Sequence, residues 1–124
     1  MNWKFTPDRP VYQQIMQLLR GQILRNELPP GSRVPSVREL AAQAQVNPNT
    51  VQRAMNELER EGLLVGGGTS GRTVTEDRSI LEQARSEVVK ALALECAERF
   101  KVFGVSPGEA AAMLLALGAE QEEV

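Results

Sequence analysis

Asn49, Gln52, Arg53 and Asn56 recur at intervals of three and four residues, so a helix through this segment places all four on one side. Asn and Gln amides donate to and accept from an adenine edge at once, and a guanidinium does the same with guanine. Val51, Ala54, Met55 and Leu58 repeat the spacing on the opposite side, where apolar side chains need a core. Glutamates stand at 57, 59 and 61, towards the C-terminal end. The other end, Asn47 to Thr50, is left without negative charge, as a helix entering a major groove by its N-terminus requires. The same polar side also suits an ordinary solvated face, and spacing alone does not separate the two readings.

Three arginines extend the pattern. Arg33 and Arg38 flank Ser36, at the start of the preceding helix, where side chains can reach the phosphates beside a groove. Arg72 follows Gly66-Gly67-Gly68-Thr69-Ser70-Gly71, whose nearly bare backbone could approach a phosphate or a minor groove. Surface arginines and a plain flexible turn are the competing explanations. Catalysis has little to work with. There is no histidine and one cysteine, and no carboxylates cluster at metal-ligand spacing. No general base, nucleophile or metal site is therefore expected, and no cofactor. The glycines do not form a nucleotide phosphate loop. Cys96, among Leu92, Leu94 and Phe100, reads as a buried thiol.

The elements that must hold these residues follow from caps and breakers. Pro10 opens a first helix striped by Val11, Ile15, Leu19 and Ile23, and Leu28-Pro29-Pro30-Gly31 ends it. After an extended piece, Ser32 to Pro35, the pattern Ser36-Val37-Arg38-Glu39 is a capping box for a short helix to about Gln43. Asn47-Pro48 starts the next helix, which runs to about Arg60 and stops at Gly62. Leu63 to Val65 and Arg72 to Thr75 read as two strands of a hairpin around the glycine-rich tip. The fold class is mainly α with a small β-hairpin: a winged helix-turn-helix over residues 9–77, followed by a two-helix segment over 78–124.

In that last segment Ser79-Ile80-Leu81-Glu82 and Ser106-Pro107-Gly108-Glu109 are further capping boxes, with Gly104 and Gly118 placed to end the two helices. Leu81, Ala84, Val88, Leu92, Cys96, Phe100 and Phe103 form an apolar seam on the first, and Ala110, Met113, Leu114 and Leu117 continue it on the second. Two such helices bury their own faces poorly, which favours a homodimer through them. An intramolecular five-helix core is the bland alternative. Residues 1–75 hold nine Lys/Arg against six Asp/Glu, whereas residues 76–124 hold five against ten. A basic front and an acidic back suit a DNA-facing module joined to one that meets its own copy. With no apolar run of membrane-spanning length and no leader pattern, the expected location is cytoplasmic and no membrane partner is expected.

At Pro10 to Ile15, Leu28 to Ala41, Val46 to Ala54 and Glu57 to Leu63 the sequence resembles the GntR-type bacterial regulators, and its short form resembles the YtrA-type subgroup. The resemblance implies a winged helix-turn-helix that binds a double-stranded DNA operator as a dimer. Arg38, Asn47 to Thr50 and Gln52 fall at its contact positions, and the two C-terminal helices at its dimerisation segment. It also implies control of a transporter operon and of the regulator's own gene. Pro48 and Gln52 stand where many members carry arginine, so base preference does not transfer. Thr69 replaces the first wing glycine, whereas Gly71 and Val74 fit. Two helices leave no deep pocket within one chain, so a small-molecule effector, of unknown identity, would have to sit between protomers. The alternative function is a winged-helix module for protein-protein contact. Such a module would show apolar anchors where Asn49, Gln52, Arg53 and Asn56 stand.

Overall fold

A computed structural model describes residues 3–66 and 71–122 of the chain. The expectations for Gly67 to Ser70, including Thr69, lie outside the described residues. Two compact units emerge, Met1–Gln83 and Ala84–Val124.

The first unit is built on three helices, α1 (Val11–Leu24), α2 (Val37–Ala44) and α3 (Pro48–Arg60). Ile15, Leu19 and Ile23 of α1 are buried, as are Val51, Ala54, Met55 and Leu58 of α3, so the two apolar stripes close on each other. Burying each large side chain contributes about 1.5–3 kcal/mol. Pro10 proves to be the cap of α1 and not its first residue; its carbonyl accepts from the Gln13 and Gln14 N-H groups. Gln14 is a buried polar residue whose role the sequence does not announce. Its amide accepts from Thr6 N-H at 2.9 Å and donates to the carbonyls of Thr6 at 2.8 Å and Arg9 at 2.9 Å, which ties the N-terminal arm to α1. Between α2 and α3, Gln45 takes the left-handed conformation at φ 56° and donates its N-H to the Ala41 carbonyl. The chain thereby reverses in three residues, and Asn47 caps α3 by accepting from Asn49 N-H at 2.8 Å.

Strands β1 (Leu64–Gly66) and β2 (Arg72–Val74) pair antiparallel, with Leu64 opposite Val74 and Gly66 opposite Arg72. The segment before α2 adds a third edge, held to β2 by three main-chain hydrogen bonds. Val34 N-H donates to Arg72 O at 3.0 Å, Val74 N-H to Ser32 O at 2.9 Å and Gly31 N-H to Val74 O at 2.9 Å. The extended piece expected at Ser32 to Pro35 is therefore an edge of the wing, a pairing no side-chain pattern signals.

Helix α4 (Arg78–Val102) corrects one expected cap. Its N-cap function falls to Asp77, whose Oδ1 accepts from Ser79 N-H at 3.0 Å and from the Ser79 hydroxyl at 2.6 Å. Ser79 lies inside the first turn instead. A carboxylate complements the positive end of the helix better than a hydroxyl does, which explains the shift. The Ser79 hydroxyl, then the backbone N-H groups of Ser79 and Ile80, hold the Asp77 carboxyl below its ordinary 3.8. A depressed folded pKa adds stability above the unfolded value that is lost as pH falls through the folded one. Asp77→Asn should thus lower the unfolding midpoint near neutral pH. The difference from the parent should close as pH drops below 3.8 in a pH series of thermal melts.

In the second unit α5 (Pro107–Glu122) starts as expected, with Ser106 accepting from Glu109 N-H at 3.2 Å. Gly104, at φ +73°, turns the chain out of α4. Gly118 does not end α5, which continues through it to Glu122; a glycine costs a helix about 1 kcal/mol, too little to stop one. No residue of α4 is buried, and Ala110 is the buried apolar residue of this unit among those described. The large buried side chains lie in the first unit. Leu81, Ala84, Val88 and Phe100 are half-buried, and so is Cys96, expected to be buried. Leu92, Met113, Leu114 and Leu117 are exposed, and Phe103, 83% exposed, lies past the end of α4 and not on its seam. Val89, Leu94, Val102 and Leu115 are exposed too, so the apolar surface is broader than one seam. No single described helix is long and apolar enough to cross a membrane.

Candidate nucleic-acid interface

The core stripe of α3 fixes what its other side presents. With Val51, Ala54, Met55 and Leu58 turned inward, Asn49, Gln52, Arg53 and Asn56 all stand exposed, as the spacing requires. Arg33, Ser36, Arg38 and Asn47 are exposed on the segments leading into α2 and α3, and Thr50 is half-buried. Among the described residues neither Arg33 nor Arg38 has an ion-pair partner, so both guanidiniums are available to an anion. Other arginines are spoken for. Arg20 grips both oxygens of Glu61, at 2.6 and 2.7 Å, and Arg25 pairs with Glu27.

Two expected contact residues serve first as caps. The Ser36 hydroxyl accepts from Glu39 N-H at 3.1 Å and the Asn47 carbonyl oxygen from Asn49 N-H. Each keeps donor groups for an outside acceptor. Arg53 lies over the ring of Tyr12, 3.8 Å from its centroid. The α1 tyrosine thus sets the direction of an α3 side chain, a role that spacing within α3 does not reveal.

Arg72 differs most from expectation. It does not extend from the wing as a free cation: its side chain is 19% exposed and points back to α3. Its Nε donates to Glu59 Oε1 at 3.0 Å and its Nη2 to Asn56 Oδ1 at 2.8 Å. Asn56 Oδ1 also accepts from Gln52 Nε2 at 2.9 Å, so a continuous chain of hydrogen bonds runs from the wing along the polar side of α3. Gly71 takes φ +82°, a left-handed conformation that favours glycine, and lies beside Arg33, whose Nε is in ordinary contact distance, 3.6 Å, of where a Cβ would stand. Arg33, Ser36, Gln52, Glu59, Gly71 and Arg72 together line a hollow of about 410 Å³ between the start of α2, α3 and the wing.

The interface so formed is cationic at Arg33 and Arg38, rich in amides along α3, and without an apolar anchor on the outer side of that helix. It can meet phosphates at its margin and base edges at its centre. Among the described residues no group of His, Cys, Asp and Glu is arranged to hold a metal ion.

The model of the family described as bacterial regulatory proteins, gntR family, matches residues 11–74. An uncharacterized HTH-type transcriptional regulator of Bacillus subtilis (strain 168), YhcF, is 32% identical over 109 residues, which cover 88% of this chain and 90% of that one. The HTH-type transcriptional repressor YtrA of the same organism is 38% identical over 82 residues, 65% of this chain and 63% of YtrA. Among solved structures, a GntR family transcriptional regulator from Listeria monocytogenes superposes with a TM-score of 0.83 at 29% identity, covering 90% of this chain and 98% of that one. These similar proteins are transcriptional regulators, not enzymes.

Proposed function

The chain belongs to the gntR family of bacterial regulatory proteins, and from that premise we propose that it is a repressor that binds an inverted-repeat operator as a homodimer. Residues 9–77 hold the DNA and residues 78–124 hold the second copy. The observation that carries this reading is the two-sided α3, with its apolar side buried and Asn49, Gln52, Arg53 and Asn56 exposed together. Arg33 and Arg38, without an ion-pair partner among the described residues, supply the phosphate contacts, with Ser36, Asn47 and Thr50 beside them. The exposed apolar side chains of α4 and α5 support the dimer, because a surface of that kind is stabilised by removal from water. A two-fold dimer places two copies of α3 on half-sites about one helical turn, or a small multiple of it, apart. The operator lies beside a transporter operon that includes the regulator's own gene, as the short-form resemblance implies.

Arg38 and Gln52 separate the two kinds of contact. Arg38→Ala should weaken binding to every sequence and reduce the salt slope by about 1, as loss of one phosphate contact does. Gln52→Ala should leave that slope alone and change the preferred base. Mobility shifts over a salt series, with bound sequences selected from random duplexes, read both. Affinity and preference untouched by both substitutions, or protection of a single asymmetric site in a footprint, would remove this assignment.

A further inference from the structure

Arginine carries only donors, so the atom of Asn56 that Arg72 Nη2 meets at 2.8 Å must be the carbonyl oxygen. That oxygen also faces Gln52 at 2.9 Å, so Gln52 must turn its amino group towards it. Both amides are thereby oriented. Gln52 presents its carbonyl Oε1 outward as an acceptor, and Asn56 presents its Nδ2 group as a donor. Without the guanidinium either amide could rotate by half a turn and exchange the two roles. Arg72 is in turn aimed by Glu59, and Glu59 is seated by the absence of a side chain at Gly66, where a Cβ would come within 2.7 Å of Oε1.

We propose that Glu59 and Arg72 are positioning residues that set the base preference of α3 without touching a base. The assignment rests on the operator reading above. An outward Gln52 carbonyl favours an exocyclic amino group, on adenine or cytosine, and an outward Asn56 amino group favours a ring or carbonyl acceptor. Glu59 contributes fidelity at the expense of attraction. Its carboxylate repels phosphate while it fixes the polarity of two readers, so its removal has effects of opposite sign on general affinity and on discrimination. A residue that merely supports the fold would lower both.

The test selects bound sequences from random double-stranded DNA with the full chain and its variants. The parent should show a preferred base pair that Gln52→Ala relaxes by roughly tenfold or more. Glu59→Ala should relax the same position by about threefold to tenfold while binding to random duplex stays equal or rises. Glu59→Gln keeps an accepting carbonyl and should restore most of the preference. Gly66→Ala, which displaces the Glu59 carboxylate without changing it, should fall between the two, and it decides the matter if Glu59→Ala does not fold. In the Gln52→Ala background, Glu59→Ala should add nothing at that position. Full parental preference in Glu59→Ala or Gly66→Ala, or a further loss in the double variant, would overturn the assignment and leave the operator reading intact. A parent that selects no sequence would instead remove the operator reading itself.

Discussion

Replacing Leu114 and Leu117 together by glutamate should split the protein into 13.6 kDa monomers and weaken its hold on a two-half-site operator by about a hundredfold or more. The two leucines lie one helical turn apart on α5, in the row that also contains the buried Ala110 and the exposed Met113. Two carboxylates placed there would face two more across a two-fold axis, where desolvation and like-charge repulsion act together. The effect on DNA comes from lost linkage, because the second half-site must then be found from bulk solution and not from a tethered partner. Affinity for an isolated half-site should therefore hardly change, which separates loss of dimer from loss of fold. Sedimentation and mobility shifts on one and two half-sites check both. A parent chain that sediments as a monomer while holding the two-half-site operator would defeat the prediction.

Leu58→Ala should cost about 2–5 kcal/mol of stability, corresponding to a fall in the thermal midpoint of roughly 10–30 °C for a unit of this size. Leu58 is fully buried in the last turn of α3, on the side that closes against α1. Ile15, Leu19, Val51 and Leu63 in the same core are branched and themselves buried, so they cannot refill the space, whereas the flexible Met16 and Met55, also buried, relax into part of it and place the loss towards the lower end of that range. Circular dichroism melts of this variant beside Gln52→Ala, whose side chain is exposed, give the contrast: a large drop against almost none.

Local chemistry made much of this molecule legible in the sequence. Ser36, Asn47-Pro48 and Ser106 mark helix starts because caps act over two or three residues, and the buried stripe of α3 follows from helical spacing alone. What escaped involves partners distant along the chain. Arg72 reads as a free wing cation because Glu59 and Asn56, which hold it, lie 13 and 16 residues away. Tyr12 under Arg53 and the pairing of residues 31–34 with β2 escape for the same reason. Two further errors came from competing local signals. Asp77 and Ser79 both suit a cap and the carboxylate prevails, while Gly118 has too small a penalty to end a helix that neighbouring alanines and leucines favour.

The main-chain rungs between residues 31–34 and β2 have a kinetic meaning. They join segments from opposite sides of α2 and α3, so their loop-closure entropy is offset only once the three helices have met. The hairpin of β1 and β2 zips locally, whereas the third edge anneals late. Val34 and Val74, both buried, then lock the edge onto the helical core once it has formed. Because Arg33 and Val34 of this edge line the hollow beside α3 together with Gly71, that hollow takes its shape only in the last step of folding, after the helices that support it.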